Sequence, residues 1–254
     1  MMPLPHSLNR TIVIRATPET VFRFFTDSAR WAQWWGTGSS IDARPGGALK
    51  IRHPNGVEAS GEVLEVKAPT RIVFTMGFAS GVPMPPGSSR VSIHVAPHAE
   101  GTTLNLVHEF AEAEARDQHV QGWRYQLSLF SNAVTNEAFG HASAAVDRWL
   151  ATWAEPDAAA REKTMGEIAT PDVRFRDQFS MVDGVSDLLP HIAAAQRFMP
   201  GLAMRRAGNV RHCQGTVLAD WVAVGPDGQE RAKGTNVYGF APDGRIASVT
   251  GFWS

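Results

Sequence analysis

Three tryptophans, Trp31, Trp34 and Trp35, stand within five residues of this chain, and Gly36 follows them directly. Each indole ring would bury roughly 150–250 Å² in a core or in the wall of a pocket. A group of such large rings is too apolar to remain in water. The three rings must therefore be buried, either in a core or in the wall of a pocket.

Composition limits the classes to which the chain can belong. Its 254 residues are 43% apolar and 19% charged, which is ordinary for a globular protein and enough for two domains. The net charge of −1 leaves no basic surface to attract nucleic acid or an anionic membrane, so neither is expected as a partner. The lone Cys213 excludes an intramolecular disulfide and fits a reducing compartment.

The N-terminus and the apolar runs indicate a cytoplasmic protein. Residues 1–6 lack the positively charged segment and the apolar stretch of a secretion signal. No apolar run approaches the 18 residues that would suggest a membrane-spanning helix. We therefore expect the chain to neither span nor bind a membrane.

The first half alternates between apolar and polar residues in short runs separated by turn signals. Thr17 and Pro18 begin a short helix, and a long helix follows from about Asp117. Its apolar stripe steps by three and four residues through Val120, Trp123, Leu127, Phe130 and Val134. The predicted strands are Arg10–Arg15, Ala48–His53, Val57–Val66, Arg71–Phe78, Arg90–Ala96 and Thr102–Phe110. This pattern predicts one sheet packed on one long helix.

Beyond the small residues around Gly140 the pattern starts again. Helices are predicted around Trp149, from Pro156 and over Ser186–Met199, with a strand over Asp172–Phe179. Three or four further strands, separated by Gly-Pro-rich turns, end at Trp253. The sequence thus predicts two domains, residues 1–140 and residues 141–254.

Motifs of the first half resemble a known family. The short helix leads into Trp34-Trp35-Gly36, and then come Arg44-Pro45-Gly46-Gly47, several strands, and a helix that contains Gly122-Trp123. This order resembles the activator of heat-shock ATPase homologue family, which belongs to the START-like, SRPBCC helix-grip superfamily. The resemblance implies a sheet that wraps a long C-terminal helix around a cavity.

A second set of residues marks the second half: Trp153 with Asp157 and Arg161, Asp172, Arg176-Asp177, Gly184, His191, Pro200-Gly201, Asp220-Trp221, Asp243-Gly244-Arg245-Ile246 and Thr250-Gly251-Phe252. This set resembles the SnoaL-like branch of the nuclear-transport-factor-two-like superfamily. The resemblance implies a cone of curved sheet and helices that encloses a pocket, and a homodimer formed through the outer face of the sheet. Together the two resemblances imply an α+β protein, a START-like domain followed by a cone-shaped SnoaL-like domain, each with a curved and mostly antiparallel sheet packed on helices.

Asp177 is the main candidate for catalysis. On a strand that runs to Phe179, it would share the apolar face with Phe175 and Phe179. A carboxyl group there loses hydration, which would raise its pKa toward the range of a general acid or base. The resemblance also implies an aspartate that moves a proton in the pocket. Alternatively, Asp177 caps a turn or pairs with an arginine.

Two more residues of the second half are candidates. His191, at the edge of the apolar stripe of its helix, could partner Asp177 across the pocket mouth or could make a structural hydrogen bond. Asp220 and Trp221 lie on opposite faces of one strand, and either face could meet the pocket. Trp221 is the ligand-binding candidate.

In the first half, His108 is the polar member of an otherwise apolar face, so it could bond a ligand or a buried backbone group. The other residues expected to line a cavity could equally fill the core, because pockets and cores use the same residue types. They are Trp34, Trp35, Phe74, Met76, Trp123, Leu127 and Phe130.

Metal and cofactor chemistry find little support in the sequence. It has no His-Glu-x-x-His motif, no cluster of cysteine and histidine and no Gly-x-Ser-x-Gly elbow, so neither a metal nor a cofactor is expected. Three functions remain. The first is the binding of a small apolar or amphipathic molecule in one or both domains. The second is a polyketide cyclase, isomerase or hydrolase that uses Asp177, and the third is a chaperone-associated interaction module.

Overall fold

The computed structural model describes residues Pro3–Ser254. Met1 and Met2, on which part of the expectation about the N-terminus rests, lie outside the described residues. Contacts divide the chain into two units, one that extends to Thr135 and one that covers Asn136–Ser254. The sequence predicts the division after residue 140, and that the two parts fold independently stays a prediction. Among residues 3–254, no helix is long and apolar enough to span a membrane.

The first unit is an antiparallel sheet of seven strands in the order β1-β7-β6-β5-β4-β3-β2, with three helices. Its elements are β1 (His6–Ile14), α1 (Pro18–Arg23), α2 (Ser28–Trp35), β2 (Ser40–Ile41), β3 (Ala48–Arg52), β4 (Glu58–Lys67), β5 (Arg71–Phe78), β6 (Ser89–His98), β7 (Gly101–Phe110) and α3 (Ala113–Ala138). The predicted strands and the long helix are all present, with ends shifted by up to four residues.

Helix α2 differs from the expectation, because the three tryptophans lie within a helix of their own. Asp27 caps this helix by accepting the backbone N–H of Arg30 at 2.9 Å. The helix ends at Gly36, whose φ of +135° a side chain would oppose. Trp31, Trp34 and Trp35 are all buried.

The core of the first unit forms where α1, α2 and α3 meet the sheet. Phe130 of α3 stacks on Phe25 with ring centroids 4.7 Å apart, and Trp34 meets Phe130 edge-on at 4.9 Å. Trp31 contacts Phe74 of β5 at 5.7 Å. The predicted inward face of β7 is confirmed, since Leu104, Leu106, His108 and Phe110 are all buried.

The second unit has a six-stranded sheet in the order β10-β11-β12-β13-β8-β9. All neighbouring strands are antiparallel except β13 and β8, which are parallel. Its elements are α4 (Ala142–Thr152), α5 (Ala158–Ile168), β8 (Ala169–Arg176), β9 (Met181–Asp183), α6 (Val185–Phe198), β10 (Ala203–Cys213), β11 (Thr216–Val224), β12 (Glu230–Phe240) and β13 (Ile246–Trp253). The predicted α+β class, with mostly antiparallel sheets, is confirmed.

Alternation on β11 decides which side of the second sheet faces the helices. Val217, Ala219, Trp221 and Ala223 are buried in one cluster with residues of α4, α5 and α6. Asp220 is on the other face, where its carboxylate accepts the Thr235 hydroxyl at 2.6 Å. Trp221 is therefore the member of the Asp220-Trp221 pair that reaches the interior.

Candidate functional site

The second unit contains an aromatic cavity of about 60 Å³ that is partly open to solvent. The four tryptophans of this unit all contribute to its wall. Asp177 is the one charged residue among those that line it. The lining residues are Trp149, Trp153, Phe175, Asp177, Ala195, Gln196, Met199, Leu202, Met204, Trp221, Ala223, Asn236, Gly251 and Trp253.

Asp177 lines this cavity, but it lies in a turn and not in a strand. Strand β8 ends at Arg176, whereas the sequence predicts a strand to Phe179, and Phe179 is 73% exposed. The reason is local: one carboxylate oxygen, Oδ1, accepts the backbone N–H of Phe179 at 2.8 Å, a turn for which aspartate is well suited. The other oxygen, Oδ2, accepts the indole N–H of Trp253 at 3.2 Å. The turn and the cavity wall are thus one structure.

Asn236 is a second polar residue of the cavity wall and lies close to Asp177. A Cβ atom on Gly251 would be 3.0 Å from Asn236 Oδ1 and 3.3 Å from Asp177 Cβ, so Gly251 allows both side chains to approach. Asn236 Oδ1 accepts the indole N–H of Trp221 at 2.9 Å, and its Nδ2 donates to the Tyr238 hydroxyl at 3.1 Å. Burial raises the pKa of Tyr238, which therefore stays neutral.

The aromatic rings of the wall stand at steep angles to one another. The rings of Trp221 and Trp253 meet at 83° with centroids 5.0 Å apart. Trp153 contacts Phe175 at 5.2 Å and 53°. The indole N–H groups of Trp221 and Trp253 are both engaged by polar wall residues, which fixes the two rings.

Gln196 closes another part of the wall, and its amide is fully used. Its Nε2 donates to the backbone oxygens of Trp153 at 3.0 Å and of Glu155 at 2.8 Å. Its Oε1 accepts Nη1 of the buried Arg161 at 3.3 Å. Gln196 and Arg161 therefore connect α5 and α6 behind the cavity.

His191, a predicted catalytic partner of Asp177, does not line the cavity. Its Nε2 hydrogen-bonds to the Ser180 hydroxyl at 3.0 Å, and its ring packs beside Trp153 and Phe175. Ser180 closes the turn at Asp177 by backbone hydrogen bonds in both directions. His191 thus holds the turn that carries Asp177, and no hydrogen bond joins the two side chains.

The first unit has a cavity of its own, of about 350 Å³, which opens to solvent. Trp35, Met76 and Trp123, three of the predicted ligand-binding residues, line it. Gln126 donates from its amide to the backbone oxygen of Trp34 beside it. The other lining residues are His53, Asn55, Val57, Phe78, Pro83, Gln118, His119, Gly122, Tyr125 and Gln126.

The remaining first-half candidates do not line this cavity. Trp34, Phe74, Leu127 and Phe130 are buried in the core, where Trp34 packs against Phe130 and Phe74 packs against Trp31. For these four residues the structure favours filling of the core, one of the two alternatives that the sequence left open. The apolar stripe of α3 is too broad for all of it to face one cavity.

His108 is also absent from the cavity wall, because both of its ring nitrogens have partners inside the core. The indole N–H of Trp123 donates to Nδ1 at 2.9 Å, so Nε2 carries the proton and donates it to the Ser89 hydroxyl at 2.8 Å. Ser89 in turn donates to the backbone oxygen of Met76 at 2.7 Å. These hydrogen bonds occupy both ring nitrogens of His108, so neither is free to bind a ligand.

Burial of these histidines predicts that the first unit loses stability in mild acid. Burial lowers the pKa of His108 well below its ordinary 6.5, and it also lowers the pKa of His119, whose ring lies 5.2 Å from that of His108. The unfolded chain then binds protons that the folded chain does not. The free energy of unfolding has its full value above about pH 7. Below about pH 6.5 it decreases, by at most about 1.4 kcal/mol per pH unit for each histidine.

Urea unfolding at pH 7.5, 6.5 and 5.5 measures this loss. The urea concentration at the unfolding midpoint should be lower at pH 5.5 than at pH 6.5. His119→Gln should make this decrease smaller, whereas substitution of the exposed His98 should leave it unchanged. A midpoint that is constant or rises toward pH 5.5 would contradict the assignment.

Sequence reasoning missed several lining residues of the second cavity. Asn236 could have been found from the sequence, because it alternates with Tyr238 and Phe240 on the inward face of β12. It is a polar residue on an otherwise apolar face, which is the same signal that led to Asp177. Trp253 and Gln196 had none, because a long-range contact brings each to the cavity. Within residues 3–254, no group of three histidine, cysteine, aspartate or glutamate side chains is arranged to hold a metal ion.

Comparison with known protein families finds a match to the first unit. The family model for activator of Hsp90 ATPase homolog 1-like protein matches residues 15–135, just under half of the chain. This confirms the resemblance carried by the Trp-Trp-Gly and Gly-Trp motifs. No curated protein matches the chain.

Several solved structures are similar to parts of the chain. One is a SnoaL-like family protein from Agrobacterium tumefaciens, with 28% identity over 44% of this chain and 95% of that chain, and a TM-score of 0.42. Another is the Aha1 dimer from Colwellia psychrerythraea, with 18% identity over 48% and 90% and a TM-score of 0.42. A third is protein MLL2253 from Mesorhizobium loti, with 18% identity over 52% and 98% and a TM-score of 0.46.

Proposed function

We propose that this protein binds a small apolar or amphipathic molecule in the cavity of its second unit. The observation that carries the proposal is the wall itself, in which four tryptophans and Phe175 stand beside the polar side chains of Asp177 and Asn236. Ligand sites in proteins combine an apolar wall with a few fixed polar groups in this way. The apolar wall would supply affinity, and the two polar groups would orient the ligand.

Hydrogen bonds fix several side chains of the cavity wall, and this supports a binding site more than a loosely packed region of the core. Trp221 is held by Asn236, Trp253 by Asp177, and Gln196 by two backbone oxygens. A wall fixed before the ligand arrives loses little conformational entropy when it binds. This arrangement favours a ligand of defined shape.

Substitutions at two neighbouring alanines of α6 test the proposal. Ala195 lines the cavity and Ala194 does not, although both are half-buried. We expect Ala195→Phe to fill the cavity and to weaken binding of 1-naphthol, an apolar molecule with one hydroxyl, by about tenfold or more, whereas Ala194→Phe leaves it unchanged. Calorimetry measures both affinities.

Native mass spectrometry of the purified protein is the companion measurement. A small molecule retained by the wild type and by Ala194→Phe, but absent from Ala195→Phe, is the expected result. Equal binding by the three proteins would show that the ligand does not occupy this cavity.

A second candidate function is an enzyme of the cyclase, isomerase or hydrolase kind. The observation that favours it is the position of the Asp177 carboxylate in the cavity wall, where it could take a proton from a bound molecule. Asn236, on the other side of Gly251, could hold an oxygen of the same molecule. Asp177 would then be the general acid or base.

Four further features belong to the same proposal. The first-unit cavity lined by Trp35 and Trp123 could hold a second molecule, and an interaction with a chaperone is a third function that a pull-down would test.

The protein would act in the cytoplasm. It would form a homodimer through the outer face of the second sheet, which carries Leu218, Val237 and the exposed Phe252. A monomeric mass in light scattering would contradict the dimer.

A further inference from the structure

The charges around the second-unit cavity are unbalanced. Asp177 is the one charged residue in its wall, and no lysine, arginine or histidine lines it. Arg176, the neighbour of Asp177 in sequence, pairs with Asp183 at 2.6 Å. In the part of the chain that the structure describes, no cationic side chain forms a salt bridge with Asp177. Its carboxylate is held by two neutral N–H donors alone.

The rings beside this carboxylate suit a positive charge. The face of an indole ring is negative, and tryptophan attracts cations more strongly than the other aromatic residues. Both Trp221 and Trp253 line the cavity, their rings meet edge to face at 83°, and Trp253 donates its N–H to Asp177. Trp149, Trp153 and Phe175 continue the aromatic wall around the rest of the cavity.

We propose that the ligand of this cavity is a small organic cation, an amine or a quaternary ammonium compound with an apolar body. The inference rests on the proposed function and names its ligand class. The ammonium group lies between the Asp177 carboxylate and the tryptophan faces, and the apolar body contacts Met199, Leu202 and Met204. An anion is excluded by the carboxylate, for which the wall offers no compensating cation.

Three probes of similar size test the charge preference by calorimetry. They are phenyltrimethylammonium, its uncharged isostere tert-butylbenzene, and the anion benzoate. We expect the cation to bind about tenfold more tightly than the isostere, since cation–aromatic contacts and the carboxylate both act on the charge alone. Benzoate should bind more weakly than either. Raising the salt concentration should weaken only the binding of the cation.

Comparison of Asp177→Asn with Asp172→Asn distinguishes the effect of the carboxylate in the cavity wall from the effect of the net charge of the protein on cation binding. Both remove one negative charge from the same region of the chain, but Asp172 is exposed on β8 and does not line the cavity. Asp177→Asn should abolish the advantage of the cation, so that phenyltrimethylammonium and tert-butylbenzene then bind this variant with affinities within about twofold of each other. Asp172→Asn should change neither affinity, and melting curves establish that both variants fold.

The outcomes distinguish this inference from the proposed function. Equal affinity for the cation and its isostere overturns the inference and leaves the proposed function standing. An equal effect of Asp172→Asn also overturns it. If none of the probes binds and Ala195→Phe changes nothing, both are wrong.

Discussion

Replacing Trp123 by alanine should lower the free energy of unfolding of the first unit by about 3–5 kcal/mol. The indole is 3% exposed and contacts Trp35 at 5.7 Å, so its removal opens a gap in the aromatic core. The substitution also removes the donor to His108 Nδ1 and leaves that buried acceptor unpaired. Chemical denaturation followed by circular dichroism measures the loss.

Two controls divide this effect into its parts. Trp123→Phe keeps most of the ring but loses the N–H group, so it should cost less than Trp123→Ala. Truncation of Tyr125, which is exposed on the same helix, should cost little. A loss below about 1 kcal/mol for Trp123→Ala would mean that α3 does not pack as described.

Asp177→Asn should lower any activity of the second unit by about 10²–10⁴-fold, if the aspartate moves a proton in the reaction. Asparagine keeps an oxygen for the Phe179 N–H but cannot take up or release the proton. Because the Trp253 indole loses its acceptor, we expect a modest drop in melting temperature as well. Rates on ketosteroid-, epoxide- and polyketide-type substrates measure the effect.

Asp172→Asn is the matched control for this substitution, since it changes the same charge outside the cavity. It should leave any activity within about twofold of the wild type. Activity that survives in Asp177→Asn would end the catalytic hypothesis and leave Asp177 as a binding and positioning residue.

The periodicity of the sequence was sufficient to predict most of the fold. The alternation in Thr102–Phe110 and the stripe of α3 correspond to the observed β7 and α3, because burial on one face imposes the pattern directly. Helix α2 and the end of β8 were missed. Both depend on an aspartate side chain, at Asp27 and at Asp177, that bonds the backbone two or three residues ahead.

The site could be predicted only in part, because long-range contacts assemble it. A polar residue on an apolar face led to Asp177, and the same rule applied to β12 would have led to Asn236. The rule failed for His108, whose partners Trp123 and Ser89 come from α3 and β6. Sequence periodicity gives the face of a residue but not the atoms that it meets there.

Fluorine NMR of protein labelled with 5-fluorotryptophan would locate a ligand most directly. The chain has eight tryptophans, of which Trp149, Trp153, Trp221 and Trp253 line the second-unit cavity. Trp35 and Trp123 line the first-unit cavity, and Trp31 and Trp34 line neither. Single tryptophan-to-phenylalanine variants assign the eight signals.

Titration with 1-naphthol should shift the signals of the four second-unit tryptophans, and it should leave those of Trp31 and Trp34 in place. The Ala195→Phe variant should abolish these shifts. Shifts confined to Trp35 and Trp123, or no saturable shift at any tryptophan, would contradict a ligand site in the second unit.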